Sequence, residues 1–245
     1  MNTNHTVVVL QPSYIPWRGY FDLIRRCDTF VFYDDVQYDK HGWRNRNKIK
    51  THAGPQWLTI PVYARGNVEE HTRIDRIEID DRSDWRRKHL ESIRHAYRRA
   101  PYFDETFAFL TELYSARPAL LADFTIELTI ALANRLHLTA AFLRSSSLSV
   151  HGVKTERLVS TLQKLGATHY ISGPSARSYI DQDQFDAAGI ELEYIDYRYD
   201  PYPQLHGAFE PSVSIVDILM MTGSEAARYI CPNEYEASSI RVAQS

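Results

Sequence analysis

Short apolar runs alternate with stretches of helical periodicity at the start of the chain. Residues 7–10 and 29–33 are β-branched or aromatic runs that end at polar or turn-forming residues, and each predicts a buried strand. Between them, apolar residues at helical spacing predict a helix over about residues 17–27. A strand, a helix and a second strand in this order form a βαβ unit, whose right-handed crossover makes the two strands parallel.

The same alternation returns in the second half of the chain. Three short apolar runs predict strands there, at residues 140–144, 169–171 and 191–197. Two amphipathic segments between them, 155–165 and 182–188, predict helices that end before Gly166 and Gly189. A further helix is predicted at residues 214–221, with Ser212 or Ser214 as its cap.

The middle of the chain has a different pattern. Residues 71–80 carry Ile74, Ile77 and Ile79 among charged residues and predict one more strand. Three helices without intervening strands are then predicted at 83–99, 103–115 and 119–137. The economical architecture is one α/β domain over residues 1–245, in which a mostly parallel sheet with flanking helices carries a helical insertion at about 82–137.

An alternating segment in the first half of the chain predicts a β-hairpin. Every second side chain is a cation within residues 43–50, and these cations are Arg44, Arg46, Lys48 and Lys50. If the segment is extended, its period of two places all four on one face. Ala53, Gly54 and Pro55 then supply turn chemistry before residues 56–62. The cations are either the solvated face of this hairpin or a surface that binds an anion.

The residues between the cations favour binding. Trp43, Asn45 and Asn47 are planar or hydrogen-bonding side chains, a mixture more typical of a recognition surface than of a solvated edge. The formal net charge of the 245-residue chain is −3, so no global basic field attracts anions and an anion site has to be local. We therefore expect substrate contacts from Trp43, Arg44, Asn45, Arg46 and Lys48.

Two adjacent carboxylates, Asp34 and Asp35, follow the second predicted strand directly. Ligands of parallel sheets collect at the carboxyl ends of the strands, so Gln11 and Tyr14 should lie near Asp34. His41 follows on the same segment, and imidazole is suited to proton transfer near neutral pH. We predict that His41 is the catalytic base and Asp34 the more enclosed, essential carboxylate, while Asp35 binds backbone or a substrate hydroxyl.

The same carboxylate pair raises the question of a metal ion. On a true strand, adjacent side chains point to opposite faces, so Asp34 and Asp35 could hold one Mg²⁺ only where the strand has ended. We expect no metal and no other cofactor. The two cysteines, Cys27 and Cys231, form no CxxC motif and fit a reducing cytosol. The apolar run near the N-terminus is too short for a signal peptide or a membrane span, so we expect a cytoplasmic protein.

Two later segments are candidate site elements. Residues 172–175, Ser-Gly-Pro-Ser, follow a predicted strand, and backbone N–H groups in such a loop can bind an anion beside Arg177. A turn that only meets the backbone needs of glycine and proline is the alternative. We take Ser172 as a candidate substrate contact. His206, in the tyrosine- and proline-rich segment 197–207, is either a lid residue or a solvated one.

Four blocks of sequence occur in a fixed order: VVVLQPSYIPWRGYFDLI, FVFYDDVQYDKHGWRNRNKIK, KTERLVSTLQKLGATHYISGPSARSYID and SIVDILMMTG. Together they resemble the WbqC-like family across most of the chain. That family is associated with bacterial O-antigen and polysaccharide gene clusters, and glycyl or related aminoacyl transfer onto an amino sugar has been suggested for it. Two shorter segments, IPWRGYF and ISGPSAR, are similar to the HxGH and ISSTxIR motifs of nucleotidylyltransferases, but Trp17 and Tyr20 replace the two histidines.

The resemblance and the candidate residues leave two hypotheses. The first is an acyl or aminoacyl transferase that acts on an amino-sugar nucleotide in surface polysaccharide biosynthesis. In it, Asn45 or Gln11 stabilises the oxyanion, and Arg44, Arg46 and Lys48 bind the diphosphate. The donor is an aminoacyl thioester, an aminoacyl-tRNA or a free amino acid with ATP. The second hypothesis is a non-catalytic protein that binds a sugar nucleotide or assembles polysaccharide, with Trp43, Trp57 and Tyr38 stacking on sugar rings.

Overall fold

The apolar runs and helical segments of the sequence form most of the elements that their patterns predict. The structure, a computed structural model, describes residues 4–63 and 71–230. Its strands, in chain order, are β1 (Thr6–Leu10), β2 (Thr29–Phe32), β3 (Arg46–Thr51), β4 (Gly54–Thr59), β5 (Ala141–Arg144), β6 (His169–Ser172) and β7 (Glu191–Tyr194). Its helices are α1 (Arg18–Arg25), α2 (Trp85–Tyr97), α3 (Phe103–Ser115), α4 (Leu121–Arg135), α5 (Lys154–Lys164), α6 (Gln182–Ala188), α7 (Ile215–Thr222) and α8 (Ala226–Ile230). No helix in these ranges is long and apolar enough to cross a bilayer.

Five of the strands form one parallel sheet, in the spatial order β5-β2-β1-β6-β7. The other two, β3 and β4, pair antiparallel as a separate hairpin. Helices α2, α3 and α4 follow one another between this hairpin and β5, where the helical insertion was expected. The predicted α/β class, the mostly parallel sheet and the hairpin are therefore confirmed, whereas a single domain over 1–245 stays a prediction.

Alternate residues of the central strands face opposite sides of the sheet. Val8 and Phe30 belong to the larger hydrophobic cluster, which includes buried residues of α1 to α4, α7 and α8. Val7 and Val31 belong to the smaller cluster, which they share with buried residues of α5 and α6. This is the period-two alternation expected when helices cover both faces of a parallel sheet. The strands are accordingly buried on both sides.

The connections of the sheet change direction next to β1. From β1 the chain passes to β2 and then β5 on one side, and it later reaches β6 and β7 on the other side. The spatial order is that of the first five strands of a doubly wound nucleotide-binding sheet, and in such sheets the ligand crevice opens where the connections diverge. The loops that follow β1 and β6 therefore flank a crevice.

The prediction of a strand at residues 71–80 is wrong. Residues Ile74–Arg76 form a short 3₁₀ turn, and Ile79 makes only an isolated bridge, with Val62. Ile74, Ile77 and Ile79 are all buried in the larger cluster, so the irregular isoleucine spacing suits a turn that packs on the core. The last dozen residues, for which we expected fraying, lie outside the described residues.

A buried polar network joins the hairpin to the helices. The carboxylate of Asp217, on α7, accepts hydrogen bonds of 2.8 Å from the hydroxyls of Tyr97 and Tyr202 and from the Gln204 amide. Burial raises the pKa of Asp217, and these donors only partly oppose the shift. Lys50, at the end of β3, donates to Gln204 and to the carbonyls of Gly207 and Ala208. The segment after β7 is thus fixed against the hairpin.

Removal of the Tyr97 hydroxyl should destabilise the fold. This hydroxyl donates to Asp217 and also accepts the backbone N–H of Lys50 at 3.0 Å, so Tyr97→Phe removes one of the three donors to a buried carboxylate and the acceptor of a buried N–H group. We expect the free energy of unfolding to fall by about 2 to 3 kcal/mol. Denaturant titration of Tyr97→Phe and of Tyr179→Phe, a matched change at a side chain that is 70 % exposed, provides the measurement. Equal stability of the two variants would contradict a supporting role for the network.

Candidate functional site

A cavity of about 430 Å³ lies at the carboxyl ends of β1 and β6. Leu10 and Ser13 line it from the end of β1, and the loop after β6 contributes Gly173, Pro174 and Ser175. Its position matches the crevice that the sheet connections create, and its volume falls in the usual range of small-molecule sites. The segments IPWRGYF and ISGPSAR, singled out in the sequence, both contribute residues to its lining.

Aromatic side chains form the walls of the cavity. They are Trp17, Tyr20, Trp43 and Tyr197. The Trp17 indole lies edge-on to the Tyr197 ring, with the ring centroids 4.9 Å apart. A Cβ atom at Gly19 would come within 2.3 Å of this indole, so only glycine leaves room for it against α1. Burial raises the pKa of Tyr20, whose hydroxyl donates to the Gln11 carbonyl at 3.1 Å and so remains protonated.

The loop after β1 is held in a conformation that is strained for its sequence. Ile15 is fully buried and has a φ of 34°, which is unusual for a β-branched residue. The side-chain amide of Asn47, on β3, donates to the carbonyls of Tyr14 and Ile15 at 3.1 and 2.9 Å. The backbone N–H of Tyr14 donates to the Trp43 carbonyl. These bonds fix the loop after β1, which lines the cavity through Ser13, Pro16 and Trp17, against the hairpin.

Arg44 brings a positive charge to the cavity. It lines the space directly, and its guanidinium donates to the Pro12 carbonyl at 3.2 Å. Its Nε atom is buried without a hydrogen-bond partner, and no carboxylate in residues 4–63 or 71–230 forms an ion pair with it. Burial lowers the pKa of Arg44, as expected for a cation in a poorly solvated place, but a guanidinium still remains charged at neutral pH. An anionic ligand would supply the missing partner.

Arg46 and Lys48 lie on the outer side of the hairpin, not in the cavity. The Arg46 guanidinium sits 4.5 Å from the centroid of the Trp57 ring, and it also donates to the His41 carbonyl at 2.5 Å. The Lys48 ammonium is 5.0 Å from the same centroid. Lys50 does not share this surface, because the segment after β7 buries it. Arg46, Lys48 and Lys50 therefore occupy alternate positions of β3, but Lys50 is covered, and Arg44, which precedes the strand, lines the cavity.

Four other residues that were predicted to contact substrate take part in hydrogen bonds within the protein. Tyr14 is fully buried, and its hydroxyl bonds His89 at 2.8 Å and Tyr114, within an aromatic cluster on the insertion helices. Asn45 donates to the Ile60 carbonyl at 2.9 Å. Ser172 is buried, and its hydroxyl lies 3.4 Å from that of Tyr170. Gln11 contributes its backbone carbonyl to the Tyr20 bond. Tyr14 and Asp34 were expected side by side, yet their side chains contact different partners.

Asp34 and Asp35 are held by ion pairs at the carboxyl ends of β2 and β5. Asp34 is fully buried, and it accepts from Arg144 Nε at 2.6 Å and from the backbone N–H and hydroxyl of Ser146 at 3.0 and 2.9 Å. Asp35 accepts from Ser145 at 2.5 Å and pairs with Arg157. Burial alone raises the pKa of Asp34, but the bonds from Arg144 and Ser146 outweigh it, so the net pKa lies below the ordinary value. Asp34 is ionised at neutral pH.

The Asp34 carboxylate makes no hydrogen bond to His41, the predicted base. Every Asp34 contact above is made with Arg144, Ser145 or Ser146, because the carboxyl ends of β2 and β5 adjoin in the sheet. His41 is exposed on the loop before the hairpin, where its backbone N–H donates to Asp39 at 3.0 Å. His206, the other histidine considered, bonds the Ala96 carbonyl at 2.7 Å and so anchors its loop to α2.

Several residues of the cavity and of the surroundings of Asp34 and Asp35 were not predicted from the sequence. Arg144 and Arg157 come from the second half of the chain, and only the pairing of β2 with β5 brings Arg144 to Asp34. The signal for Arg144 was its place at the end of a predicted strand, where side chains from adjacent parallel strands meet. Trp17 was singled out only as a position of the segment IPWRGYF, and Tyr197 only as the start of the tyrosine- and proline-rich segment. No group of three or more metal-binding side chains occurs in the described ranges.

The Asp34 ion pair should make the free energy of unfolding depend on pH in the acidic range. The folded-state pKa of Asp34 is lower than its ordinary value of 3.8, so its contribution is present above that pH and disappears as pH falls through the folded value. Asp34→Asn should therefore lower the free energy of unfolding at pH 7 by about 2 kcal/mol, less than a fully buried pair because Arg144 is partly exposed. Denaturant titrations at pH 7 and at pH values below 3.8 should show a smaller difference between variant and wild type in acid. An equal difference at both would contradict the ion-pair assignment.

Comparison with known proteins agrees with the sequence resemblance. The model of the WbqC-like protein family matches residues 11–229. A Mycobacterium tuberculosis protein, named uncharacterized protein Rv1507c, is 42 % identical over 226 residues, which cover 91 % of this chain and 96 % of that protein. No solved structure matches the chain. The chain belongs to the WbqC-like protein family.

Proposed function

We propose that the cavity binds a nucleotide-linked sugar, and that the protein transfers an acyl or aminoacyl group to an amino sugar so bound. The observation that carries the proposal is Arg44, a cation without a carboxylate partner in the described chain, in a cavity walled by aromatic rings. A guanidinium is suited to bind phosphate, and aromatic rings stack on sugars and bases. The sheet order is one that binds nucleotides at this crevice, which supports the proposal by analogy.

The biological context of the proposal comes from the family. WbqC-like proteins are associated with O-antigen and polysaccharide gene clusters, and aminoacyl transfer onto an amino sugar is the activity suggested for them. In that reaction the amine of the sugar attacks the carbonyl carbon of an activated donor. A C–N bond forms, the bond to the donor's leaving group breaks, and the amine proton passes to a base. The donor is a thioester, an aminoacyl-tRNA or an aminoacyl adenylate made from ATP.

His41 is the base that the geometry favours among the predicted candidates. Asp34 and Asp35 are occupied by Arg144, Arg157 and serine donors, so we give them a structural role. His41 is exposed, and its carbonyl accepts the bond from Arg46, so it lies on the same loop that delivers Trp43 and Arg44. His41 precedes Trp43 and Arg44 by two and three residues, and both of those residues line the cavity.

A second candidate function is binding without catalysis. One observation favours it: the lining that residues 4–63 and 71–230 give the cavity includes no carboxylate and no imidazole. Such a protein would hold a sugar nucleotide through Arg44 and the aromatic walls and present it to another enzyme. Binding is common to both functions, so binding and transfer need separate tests.

Loss of the Arg44 charge should weaken binding of a nucleotide sugar. Isothermal titration with UDP-N-acetylglucosamine compares wild type with Arg44→Gln and with Arg87→Gln, a matched change at an exposed arginine on α2. One lost charge-assisted hydrogen bond corresponds to about a 10- to 100-fold increase in Kd for Arg44→Gln. Higher salt should weaken wild-type binding more than it weakens the residual binding of Arg44→Gln. An unchanged Kd in Arg44→Gln, with the fold intact by thermal unfolding, would refute the anion site.

Replacement of His41 should separate catalysis from binding. Mass spectrometry can detect the acyl mass added to UDP-glucosamine when the protein is supplied with glycyl thioester, glycyl-tRNA or glycine with ATP. We expect His41→Ala to slow transfer by about 10²- to 10⁴-fold, the usual contribution of a general base, while Kd stays within about twofold. His52→Ala, at an exposed histidine of the hairpin turn, is the control. Full activity of His41→Ala would reject His41 as base, and binding without product from any donor would favour the second function.

A further inference from the structure

Two exposed tryptophans on the hairpin side form a continuous surface next to the cavity. Trp43 and Trp57 are 44 % and 41 % exposed, which is unusual for indoles. Their ring centroids lie 5.2 Å apart at an interplanar angle of 35°, so they form one tilted stack. We name Trp43 and Trp57, with Arg46 and Lys48, the indole platform. Other large exposed apolar residues, such as Val153 and Tyr179, have no such aromatic partner in the described chain.

The hairpin register explains why cations accompany the indoles. Lys48 pairs with Trp57 across β3 and β4, and Arg46 is two residues away on the same face. The guanidinium and the ammonium both lie against the Trp57 ring, at 4.5 and 5.0 Å from its centroid. Neither cation forms an ion pair with a carboxylate within residues 4–63 and 71–230, and the Nε atom of Arg46 is buried without a partner. The platform therefore combines flat apolar area with unneutralised positive charge.

Trp43 connects the platform to the cavity. The Trp43 side chain lines the cavity and also stacks on Trp57, and Arg44 follows Trp43 in the chain. Arg44 and Trp43 therefore both line the cavity, and the surface continues from Trp43 onto Trp57 with Arg46 and Lys48. A ligand that extends from the cavity onto this surface meets the Arg44 charge first and then a flat aromatic area with two cations.

We propose that the indole platform is the subsite for the nucleobase of the nucleotide-linked substrate. The sugar occupies the cavity, the diphosphate lies between Arg44 and the cations of the platform, and the base stacks on the indole pair. This inference rests on the proposed function and adds which part of the substrate each region binds. Stacking is tolerant of base identity, since every base presents a flat π-face.

The chemistry of the platform disfavours a neutral polysaccharide as its ligand. Sugar hydroxyls are usually bound by carboxylate and amide side chains, whereas the polar side chains here are two cations. Cations against indoles instead complement a ligand that carries both phosphate and a flat ring. A nucleotide has both features in one small molecule.

The test compares two ligands that differ only in the nucleoside monophosphate. Isothermal titration measures Kd for UDP-N-acetylglucosamine and for N-acetylglucosamine 1-phosphate with wild type, Trp57→Ala and Trp57→Leu, which keeps apolar area without a flat ring. Loss of base stacking should raise the Kd of the nucleotide sugar by about 5- to 100-fold in both variants. The Kd of the sugar phosphate should change less than about twofold. Tyr179→Ala, at an exposed tyrosine away from the cavity, is the control and should change neither value.

The outcomes separate this inference from the proposed function. If Arg44→Gln weakens both ligands but the Trp57 variants bind the nucleotide sugar as wild type does, the base subsite is refuted and the cavity assignment survives. If the Trp57 variants lose both ligands equally while folding normally, the platform contacts the sugar phosphate and not the base. If wild type binds neither ligand, the proposed function fails and the subsite fails with it.

Discussion

Two hydrogen bonds from the buried amide of Asn47 hold the candidate site together. They satisfy the carbonyls of Tyr14 and Ile15 in a loop whose backbone is strained at Ile15. Buried carbonyls without partners cost about 1 to 3 kcal/mol each, so the loop needs these donors to keep its conformation. Because Asn47 lies on β3, the hairpin and the end of β1 are fixed relative to each other. That attachment places Arg44 and Trp43 beside the crevice of the sheet.

The distribution of charge follows from the same arrangement. At the carboxyl ends of β2 and β5, every carboxylate has a cationic partner, and the depressed pKa of Asp34 shows that its hydrogen bonds outweigh the cost of burial. At the carboxyl ends of β1 and β6, Arg44 has no carboxylate partner in the described ranges. The charges at the carboxyl ends of β2 and β5 are therefore paired, whereas the Arg44 charge at the carboxyl ends of β1 and β6 is not. An unsatisfied cation in a cavity marks the place for an anionic ligand.

The sequence predicted the sheet well because its strands are short apolar runs bounded by turn residues. The ends of β1, β2, β5, β6 and β7 differ from the predicted ends by at most three residues. The predictions that were wrong concern segments whose tertiary contacts override the local sequence pattern. Lys50 shares the phase of Arg46 and Lys48, but the segment after β7 covers it, which periodicity cannot reveal. The isoleucines of 71–80 pack as a turn, although their spacing resembled a strand.

The candidate site was predicted less completely than the fold. Arg44, Trp43 and the loop after β6 line the cavity, although Ser172 itself does not, and their contact with substrate stays a prediction. The carboxylate pair shows why: a catalytic role for Asp34 and Asp35 stays a prediction, and the sequence around them does not indicate Arg144 and Arg157, which β5 and α5 bring to them. Tyr14 looked like a site residue for the same reason, yet its ring turns into the aromatic cluster of the insertion helices. Long-range partners decide such roles, and no local motif records them.

The most direct test of the account is a crystal structure of the protein with UDP-N-acetylglucosamine. The account predicts electron density for the sugar in the cavity between the loops after β1 and β6. A phosphate oxygen should lie about 2.7 to 2.9 Å from a nitrogen of Arg44, the usual distance of a charge-assisted hydrogen bond. Clear density for the ligand at another place on the protein, with the cavity empty and Arg44 uncontacted, would contradict the central claim.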